Sequence, residues 1–259
     1  AAGASNEEIH RSFHTPTEMT LFTYHGDIDT MMAPIDSIRY VKSYLRAGFM
    51  SMDPKTGAVK AYVGGLDYTH FMYDMVTGGR RQVGSTIKPF LYALAMENGF
   101  TPCSMAPNVQ QTYTVGNQTW TPRNTNRKRY GEMVTLKWGL AQSNNWISAY
   151  LMSKLNPQQF VTKLHEFGID NPEIVPSMAL CLGPCEVSVA EMVSAYTTFV
   201  NKGIRSAPMF VSRIEDNEGN VITDFQPRMN EVINAESADR MLVLLKGVVD
   251  GGTAGRLRY

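Results

Sequence analysis

Apolar side chains fall on nearly every face of residues 85–98, and this pattern predicts a helix buried on all sides. Pro89 is tolerated there because it lies in the first turn, and Gly99 follows the last turn, where glycine is favoured. Further segments of helical length predict more helices, with a break at Ser143-Asn144 and an amphipathic helix last. These helices are expected at residues 135–142, 145–155, 157–168, 187–200 and 235–249.

Short runs typical of β-strands flank two predicted turns. Residues 48–52 and 59–63 lie on either side of residues 53–57, where proline and glycine mark a tight turn. Residues 206–215 and 220–225 predict a second hairpin. Strands near both ends of the chain with helices between them predict an α+β fold.

Residues 1–47 differ in character from the rest of the chain. They are polar and mixed, with Pro16 and Pro34 as breakers, and they predict a linker or accessory segment that precedes a main region at residues 48–259. No run approaches the roughly 18 apolar residues of a membrane span. The N-terminus also lacks the basic start and apolar segment of a signal peptide.

The charge balance gives no support for an anionic partner. The 259 residues carry 24 basic and 24 acidic side chains, so no net field favours nucleic acid or an anionic membrane. The basic residues Arg123 and Arg127–Arg129 stand in an Asn-rich loop. We expect that loop to be solvated, although it can also follow a groove for an anionic polymer.

The cysteines and two histidines give weak signals. Cys181 and Cys185 flank a turn that can bring them together, so either a disulfide or two buried small side chains fit. His10 and His14 have the spacing of a helical metal pair. No further ligands converge on them in the sequence, so a solvated surface is favoured, and no metal or cofactor is predicted.

Ser85 and Lys88 are the first candidate for chemistry. Positions i and i+3 share one face of a helix, so the serine hydroxyl and the lysine amine can touch. A partly desolvated, neutral lysine can take the serine proton, and a free N–H at the helix start can hold an oxyanion. Alone this pair is a weak signal, because Ser-x-x-Lys also arises by chance.

A second candidate is the triplet Ser143-Asn144-Asn145, at the break between two predicted helices. As a structural feature it caps the helix at residues 145–155. The sequence has one Lys-Thr-Gly, at residues 55–57, and we assign it to the hairpin turn, with Gly57 needed for backbone geometry.

These motifs together resemble the transpeptidase domain of class A penicillin-binding proteins. The likeness begins with the Ser85–Lys88 motif followed by Ser143 and Asn145, and extends over roughly residues 15–259. Val83 departs from the family, in which proline is common at this place. Further similar segments lie at residues 31–45, 52–65, 81–90, 120–124, 130–141 and 183–196.

The resemblance implies a role for each site residue. Ser85 would be the acyl-accepting nucleophile, and its backbone N–H would form half of the oxyanion hole. Lys88 would accept the serine proton, Ser143 would relay a proton to the leaving amine, and Asn145 would hold Lys88 and the substrate amide. The implied fold is a mostly antiparallel sheet with helices packed on it, plus a helical lobe that holds Ser143.

The resemblance also implies a reaction and a cellular location. Ser85 would attack the D-Ala–D-Ala peptide bond of a peptidoglycan stem peptide, and a neighbouring stem's amine would resolve the acyl-enzyme. β-Lactams would acylate Ser85 as substrate mimics. We expect an upstream glycosyltransferase domain and action on the outer, periplasmic face of the bacterial cytoplasmic membrane, with an anchor outside this chain.

In this family a Lys-Thr-Gly strand follows the second motif and completes the oxyanion hole. No Lys-Thr-Gly occurs between Asn145 and Tyr259. We therefore expect the C-terminal strands to be missing. Because losing one oxyanion donor alone costs about 100- to 1,000-fold in rate, we expect this chain by itself to be inactive or nearly so.

Two alternatives stay open. A class A serine β-lactamase needs a Glu-x-x-Leu-Asn setting, but Glu166 is followed by Phe-Gly-Ile-Asp. A non-catalytic β-lactam-binding or scaffold domain is disfavoured because all four motif residues are intact.

Overall fold

The computed structural model describes residues 3–115, 118–125 and 127–258. Its α-helices are α1 (Asn6–His14), α2 (Pro34–Ser43), α3 (Lys88–Glu97), α4 (Leu136–Ala141), α5 (Asn145–Lys154), α6 (Pro157–Glu166), α7 (Val189–Val200) and α8 (Ala235–Gly251). Short 3₁₀ helices cover Gly84–Ile87, Met178–Leu182 and Gly255–Arg258.

The strands pair two by two and antiparallel. They are β1 (Thr17–Leu21), β2 (Ile28–Met32), β3 (Phe49–Met52), β4 (Val59–Val63), β5 (Arg80–Gln82), β6 (Met105–Pro107), β7 (Tyr113–Val115), β8 (Gln118–Trp120), β9 (Met133–Thr135), β10 (Glu186–Ser188), β11 (Ile204–Ser206), β12 (Arg213–Glu215), β13 (Val221–Asp224) and β14 (Met229–Glu231). The pairs are β1–β2, β3–β4, β5–β10, β6–β9, β7–β8, β11–β14 and β12–β13. The predicted α+β class with antiparallel strands is confirmed.

The chain forms two compact units. The first comprises residues 1–47 and 64–73, and the second comprises residues 48–63 and 74–259. In the first unit, Tyr40 and Tyr44 both donate their hydroxyl protons to the Phe22 carbonyl at 3.0 Å, and the Phe22 and Phe71 rings pack edge to face. Residues 64–73 therefore belong to the first unit, although they follow the boundary predicted at residue 47.

Helix α3 lies at the centre of the second unit's core. All its residues from Lys88 to Met96 are buried, as predicted from the apolar pattern. The centroid of the Phe90 ring lies 4.8 Å from that of the Phe167 ring and 5.7 Å from that of the Phe199 ring. Helices α5, α6 and α8 pack around α3, so the residue that begins α3 is fixed by the whole core.

The start of this helix differs from the prediction. The turn that carries Ser85 is 3₁₀, and the α-helix begins only at Lys88. Pro89 has no N–H to donate to the Ser85 carbonyl, and the Lys88 N–H bonds to that carbonyl instead. The proline therefore tightens the turn that holds the candidate nucleophile.

Two other element boundaries also differ from the prediction. Residues 186–188 form β10 instead of the start of a helix, and Ser188 then caps α7. The second hairpin is confirmed as β12–β13, but Ser206 belongs to β11, which pairs with β14. All three cysteines are free, so the Cys181–Cys185 bridge is absent. No helix in the described part of the chain has the length and apolarity to span a bilayer.

Candidate active site

The turn before Ser85 is held by a neighbouring loop. Val83 and Gly84 donate their N–H groups to the Cys185 and Gly183 carbonyls, each at 3.0 Å. Gly183 has φ +71°, and a Cβ there would lie 2.2 Å from the Gly84 oxygen, so only glycine allows this approach. Ser85 itself is exposed at the start of the 3₁₀ helix.

A partly buried ion pair fixes the strand that leads to this turn. Both oxygens of Glu191 accept from the Arg80 guanidinium, at 2.9 and 3.0 Å, which ties β5 to α7. Glu191 also accepts from the N–H and hydroxyl of Ser188, which closes a capping box on α7. Burial would raise the pKa of the Glu191 carboxyl, but the Ser188 bonds and Arg80 outweigh it and hold that pKa low.

The second motif forms the corner between α4 and α5. Asn144 caps α5 as predicted: its Oδ1 accepts from the N–H groups of Trp146 (2.9 Å) and Ile147 (3.2 Å). Ser143 has φ +49°, a left-handed conformation that costs a non-glycine residue energy. This conformation lets both the carbonyl and the hydroxyl of Ser143 contact the same amine.

That amine belongs to Lys88, whose side chain is 1% exposed. Its Nζ donates to the Ser143 carbonyl (2.6 Å), the Ser143 hydroxyl (3.1 Å) and Asn145 Oδ1 (2.7 Å). Burial lowers the pKa of Lys88 to about 8. The negative charge of a Cys181 thiolate would oppose this shift, but by less than burial causes it. Burial also raises the pKa of the Cys181 thiol to about 12, so at neutral pH that thiol carries no charge.

Three of the four site residues predicted from the sequence are therefore in contact. Lys88, Ser143 and Asn145 form one hydrogen-bonded group, with Ser85 one turn before Lys88. The expected contact between Ser85 and Lys88 is not a hydrogen bond within the described residues. An ammonium has three donors, and Ser143 and Asn145 take all three, so Lys88 must lose a proton before it can accept one from Ser85.

The groups that support this corner were hard to predict from the sequence. Asn108 is fully buried; its Oδ1 accepts from Asn144 Nδ2 at 2.8 Å, and its own Nδ2 donates to the Lys128 and Arg129 carbonyls. Asn145 donates through its Nδ2 to the Arg123 carbonyl (2.8 Å) and through its N–H to Asn124 Oδ1 (3.2 Å). The Asn-rich composition of this loop was the one available signal.

The rejected candidates lie elsewhere. Lys55-Thr56-Gly57 occupies the β3–β4 turn, where Gly57 has φ +74°. His10 and His14 stack with ring centroids 4.1 Å apart on α1, and the described residues hold no cluster of three or more metal-ligating groups. In the basic run, Arg123, Arg127 and Arg129 are all exposed, and Arg129 also pairs with Glu132 at 2.8 Å.

Comparison with known proteins gives consistent matches. Residues 47–258 match the family model of the penicillin-binding protein transpeptidase domain, and residues 1–45 match that of the penicillin-binding protein middle domain. Penicillin-binding protein 1A of Aquifex aeolicus is 33% identical over 214 residues, covering 82% of this chain and 29% of that protein. Penicillin-binding protein 2D of Bacillus subtilis is 33% identical over 211 residues, covering 80% and 30%.

Comparison with solved structures also finds penicillin-binding proteins. A crystal structure of penicillin-binding protein 1A from Haemophilus influenzae has a TM-score of 0.78 at 25% identity, covering 92% of this chain and 40% of that one. The chain spans less than a third of the length of the two curated relatives.

Proposed function

The chain belongs to the family of penicillin-binding protein transpeptidase domains, and we propose that it supplies Ser85, Lys88, Ser143 and Asn145 to a serine D,D-transpeptidase. The reaction would cross-link peptidoglycan stem peptides that end in D-Ala–D-Ala. The whole protein would act outside the cytoplasmic membrane, with a glycosyltransferase domain upstream and β-lactams as inhibitors. The contacts of Lys88 carry this proposal.

Lys88 is suited to act as a base because its acceptors are uncharged. The Ser143 carbonyl, the Ser143 hydroxyl and the Asn145 amide orient the amine without adding negative charge. With a pKa of about 8, roughly one molecule in ten holds Lys88 as a free amine at pH 7. An ordinary lysine, with a pKa near 10.4, would be neutral in roughly one molecule in 2,500.

The acylation step then proceeds by proton transfer along this group. Neutral Lys88 takes the Ser85 proton while Ser85 Oγ bonds to the penultimate D-Ala carbonyl carbon. The C–N bond to the terminal D-Ala breaks, and the proton passes from Lys88 through the Ser143 hydroxyl to the leaving amine. The acceptor stem's amine reverses these steps: a C–N bond forms, the ester C–Oγ bond breaks, and Ser85 regains a proton.

The β-lactamase alternative requires a water-activating carboxylate, and Glu166 is in the wrong setting for that role. Glu166 lies on α6, where its Oε2 forms an ion pair with Lys163 at 2.6 Å. That carboxylate is engaged by a lysine of its own helix and is followed by Phe-Gly-Ile-Asp, not by the Leu-Asn setting that a class A β-lactamase needs. Transpeptidation is therefore favoured over hydrolysis of the acyl-enzyme.

The test is intact-protein mass spectrometry after incubation with a penicillin. It uses this chain and an extended chain, meaning this chain followed by strands that carry the Lys-Thr-Gly motif of the family. We expect a single adduct in the extended chain, lost in Ser85→Ala, and little or none in the chain alone.

Other outcomes would change the proposal. An adduct in both chains would overturn the expectation that this chain is inactive, while supporting Ser85 as nucleophile. No adduct in either folded chain would contradict the transpeptidase proposal and favour a scaffold role.

A further inference from the structure

We propose that Asn124 is a positioning residue for Lys88: it holds the loop at residues 122–124 against α5, so that the amide oxygen of Asn145 faces the lysine. This inference rests on the proposed function, in which Lys88 is the base. It concerns a side chain outside both sequence motifs, on the loop between β8 and β9.

Three hydrogen bonds join the loop to the start of α5. Asn124 Oδ1 accepts from the Asn145 N–H at 3.2 Å, and the Arg123 carbonyl accepts from Asn145 Nδ2 at 2.8 Å. The Pro122 carbonyl accepts from the indole N–H of Trp146 at 3.1 Å. The N–H of the first residue of a helix has no partner within the helix, so Asn124 satisfies a donor that would otherwise need water.

The Asn145 amide has one orientation that satisfies both of its neighbours. Its nitrogen can only donate, and it faces the Arg123 carbonyl; its oxygen can only accept, and it faces Lys88 at 2.7 Å. A rotated amide would place its NH₂ against the lysine ammonium and its oxygen against a carbonyl. The Arg123 carbonyl therefore selects the orientation, and the Asn124 side chain keeps that carbonyl in place.

The consequence reaches the titration of Lys88. An acceptor at 2.7 Å stabilises the ammonium form, so it supports the pKa against the effect of burial. Without Asn124 the loop loses a bond to α5, the Asn145 amide is freer to rotate, and the ammonium loses part of one acceptor. We expect the pKa of Lys88 to fall by roughly one unit, the scale of a hydrogen bond to a charged group.

The experiment is a pH titration of the Lys88 side chain by NMR of its ¹³C-labelled Cε, in the wild-type chain and in Asn124→Ala. The resonance is assigned by its absence in Lys88→Arg. Asn124→Asp restores an acceptor and adds a negative charge, so it should return the pKa of Lys88 to the wild-type value or above it.

The matched control is Asn156→Ala. Asn156 also accepts from a helix N-terminal N–H, that of Gln158 at 2.8 Å on α6, but it has no bond to the Lys88 group. Loss of a helix cap alone would therefore lower stability in both variants and leave the pKa of Lys88 unchanged in Asn156→Ala.

The outcomes separate cleanly. A fall in the pKa in Asn124→Ala, absent from Asn156→Ala and reversed in Asn124→Asp, supports the proposal. An unchanged pKa in folded Asn124→Ala, or an equal fall in Asn156→Ala, overturns it. If Asn124→Ala does not fold, Asn124→Ser gives the same comparison. Because this titration needs no substrate, it can fail while Ser85 is still acylated, and the reverse also holds.

Discussion

Lys88 and Lys163 are two lysines of the same unit whose pKa values move in opposite directions. Lys88 is almost fully buried, among three uncharged acceptors, and burial lowers its pKa to about 8. Lys163 is 13% exposed and bridges α6 and α3, with Glu166 Oε2 at 2.6 Å, Glu97 Oε2 at 3.0 Å and the Val232 carbonyl at 3.0 Å. Burial opposes its charge too, but the two carboxylates outweigh that effect and raise its pKa.

The difference indicates what distinguishes the proposed base, Lys88, from a lysine in a structural ion pair. Each amine lies within 3.1 Å of three oxygens, so the number of neighbouring oxygens does not distinguish them. The charge of those oxygens does, because a carboxylate stabilises the ammonium form far more than a carbonyl or an amide. Lys163 stays charged at neutral pH and ties two helices together, whereas Lys88 can give up its proton.

The largest expected effect comes from removing the base while keeping the charge. Arginine does not deprotonate in proteins, so Lys88→Arg should lower the rate of Ser85 acylation in the extended chain by about 100-fold or more. Lys163→Arg, at the structural ion pair, should leave the rate nearly unchanged. The measurement is the rate of penicillin adduct formation by mass spectrometry, with thermal unfolding as the check on folding. Equal rates in both variants would remove Lys88 from the mechanism.

A second variant makes the first lysine resemble the other. Asn145→Asp places a carboxylate beside Lys88, which should raise its pKa by about 1 to 3 units. Because acylation needs the neutral amine, the midpoint of its pH profile should move to higher pH by the same amount. At pH 7 the acylation rate should fall about 10-fold or more. The pH profile of acylation in the extended chain measures this. An inflection that stays near pH 8 would show that the charge of the acceptor does not control Lys88.

The reverse change belongs at the other lysine. Glu97→Gln leaves burial less opposed at Lys163, so the pKa of Lys163 should fall, and the free energy of unfolding should drop by about 1–2 kcal/mol. Glu166→Gln should cost less, because that carboxylate is 46% exposed and solvent screens it. Urea unfolding at neutral pH gives the comparison, and the acylation pH profile serves as the negative control. A larger loss in Glu166→Gln would contradict this ranking.

The smallest effect is expected at an exposed site of the first unit. His70 bonds through Nδ1 to Asp67 at 2.8 Å and lies 3.2 Å through Nε2 from Asp27, and the bond to Asp67 is the main cause of its raised pKa. Its stabilising contribution should be complete below the ordinary histidine pKa of about 6.5 and should fade as pH rises through the raised value.

This histidine can be titrated directly by NMR. Asp67→Asn should return the pKa of His70 towards about 6.5, and thermal unfolding should differ between the two proteins mainly at acidic pH. If Asp67→Asn left the His70 titration unchanged, the rule drawn from the lysines would not extend to exposed groups.

Much of the site could be predicted from short-range patterns. The apolar run after Ser85 required a buried helix, and Lys88 at the i+3 position had to enter the core with it. The break at Ser143-Asn144 was visible as polar residues between two helices, and Asn144 caps α5 as expected. These features depend on local spacing, which the sequence displays directly.

The remaining features depend on long-range contacts. The Ser143 carbonyl reaches Lys88 only because Ser143 adopts a left-handed conformation, and a serine does not predict that conformation. Glu191 meets Arg80 across 111 residues, through the pairing of β5 with β10, which short strands of three residues do not specify. The grouping of residues 64–73 with the first unit likewise follows from packing around Phe22.

The most direct test of the central claim is a titration of both lysines in the wild-type chain by NMR of their ¹³Cε resonances. This account predicts that Lys88 loses its proton near pH 8, while Lys163 stays protonated beyond the ordinary lysine value of about 10.4. If Lys88 instead titrated at or above that ordinary value, burial among neutral acceptors would not make it a base, and the proposed activation of Ser85 would be contradicted.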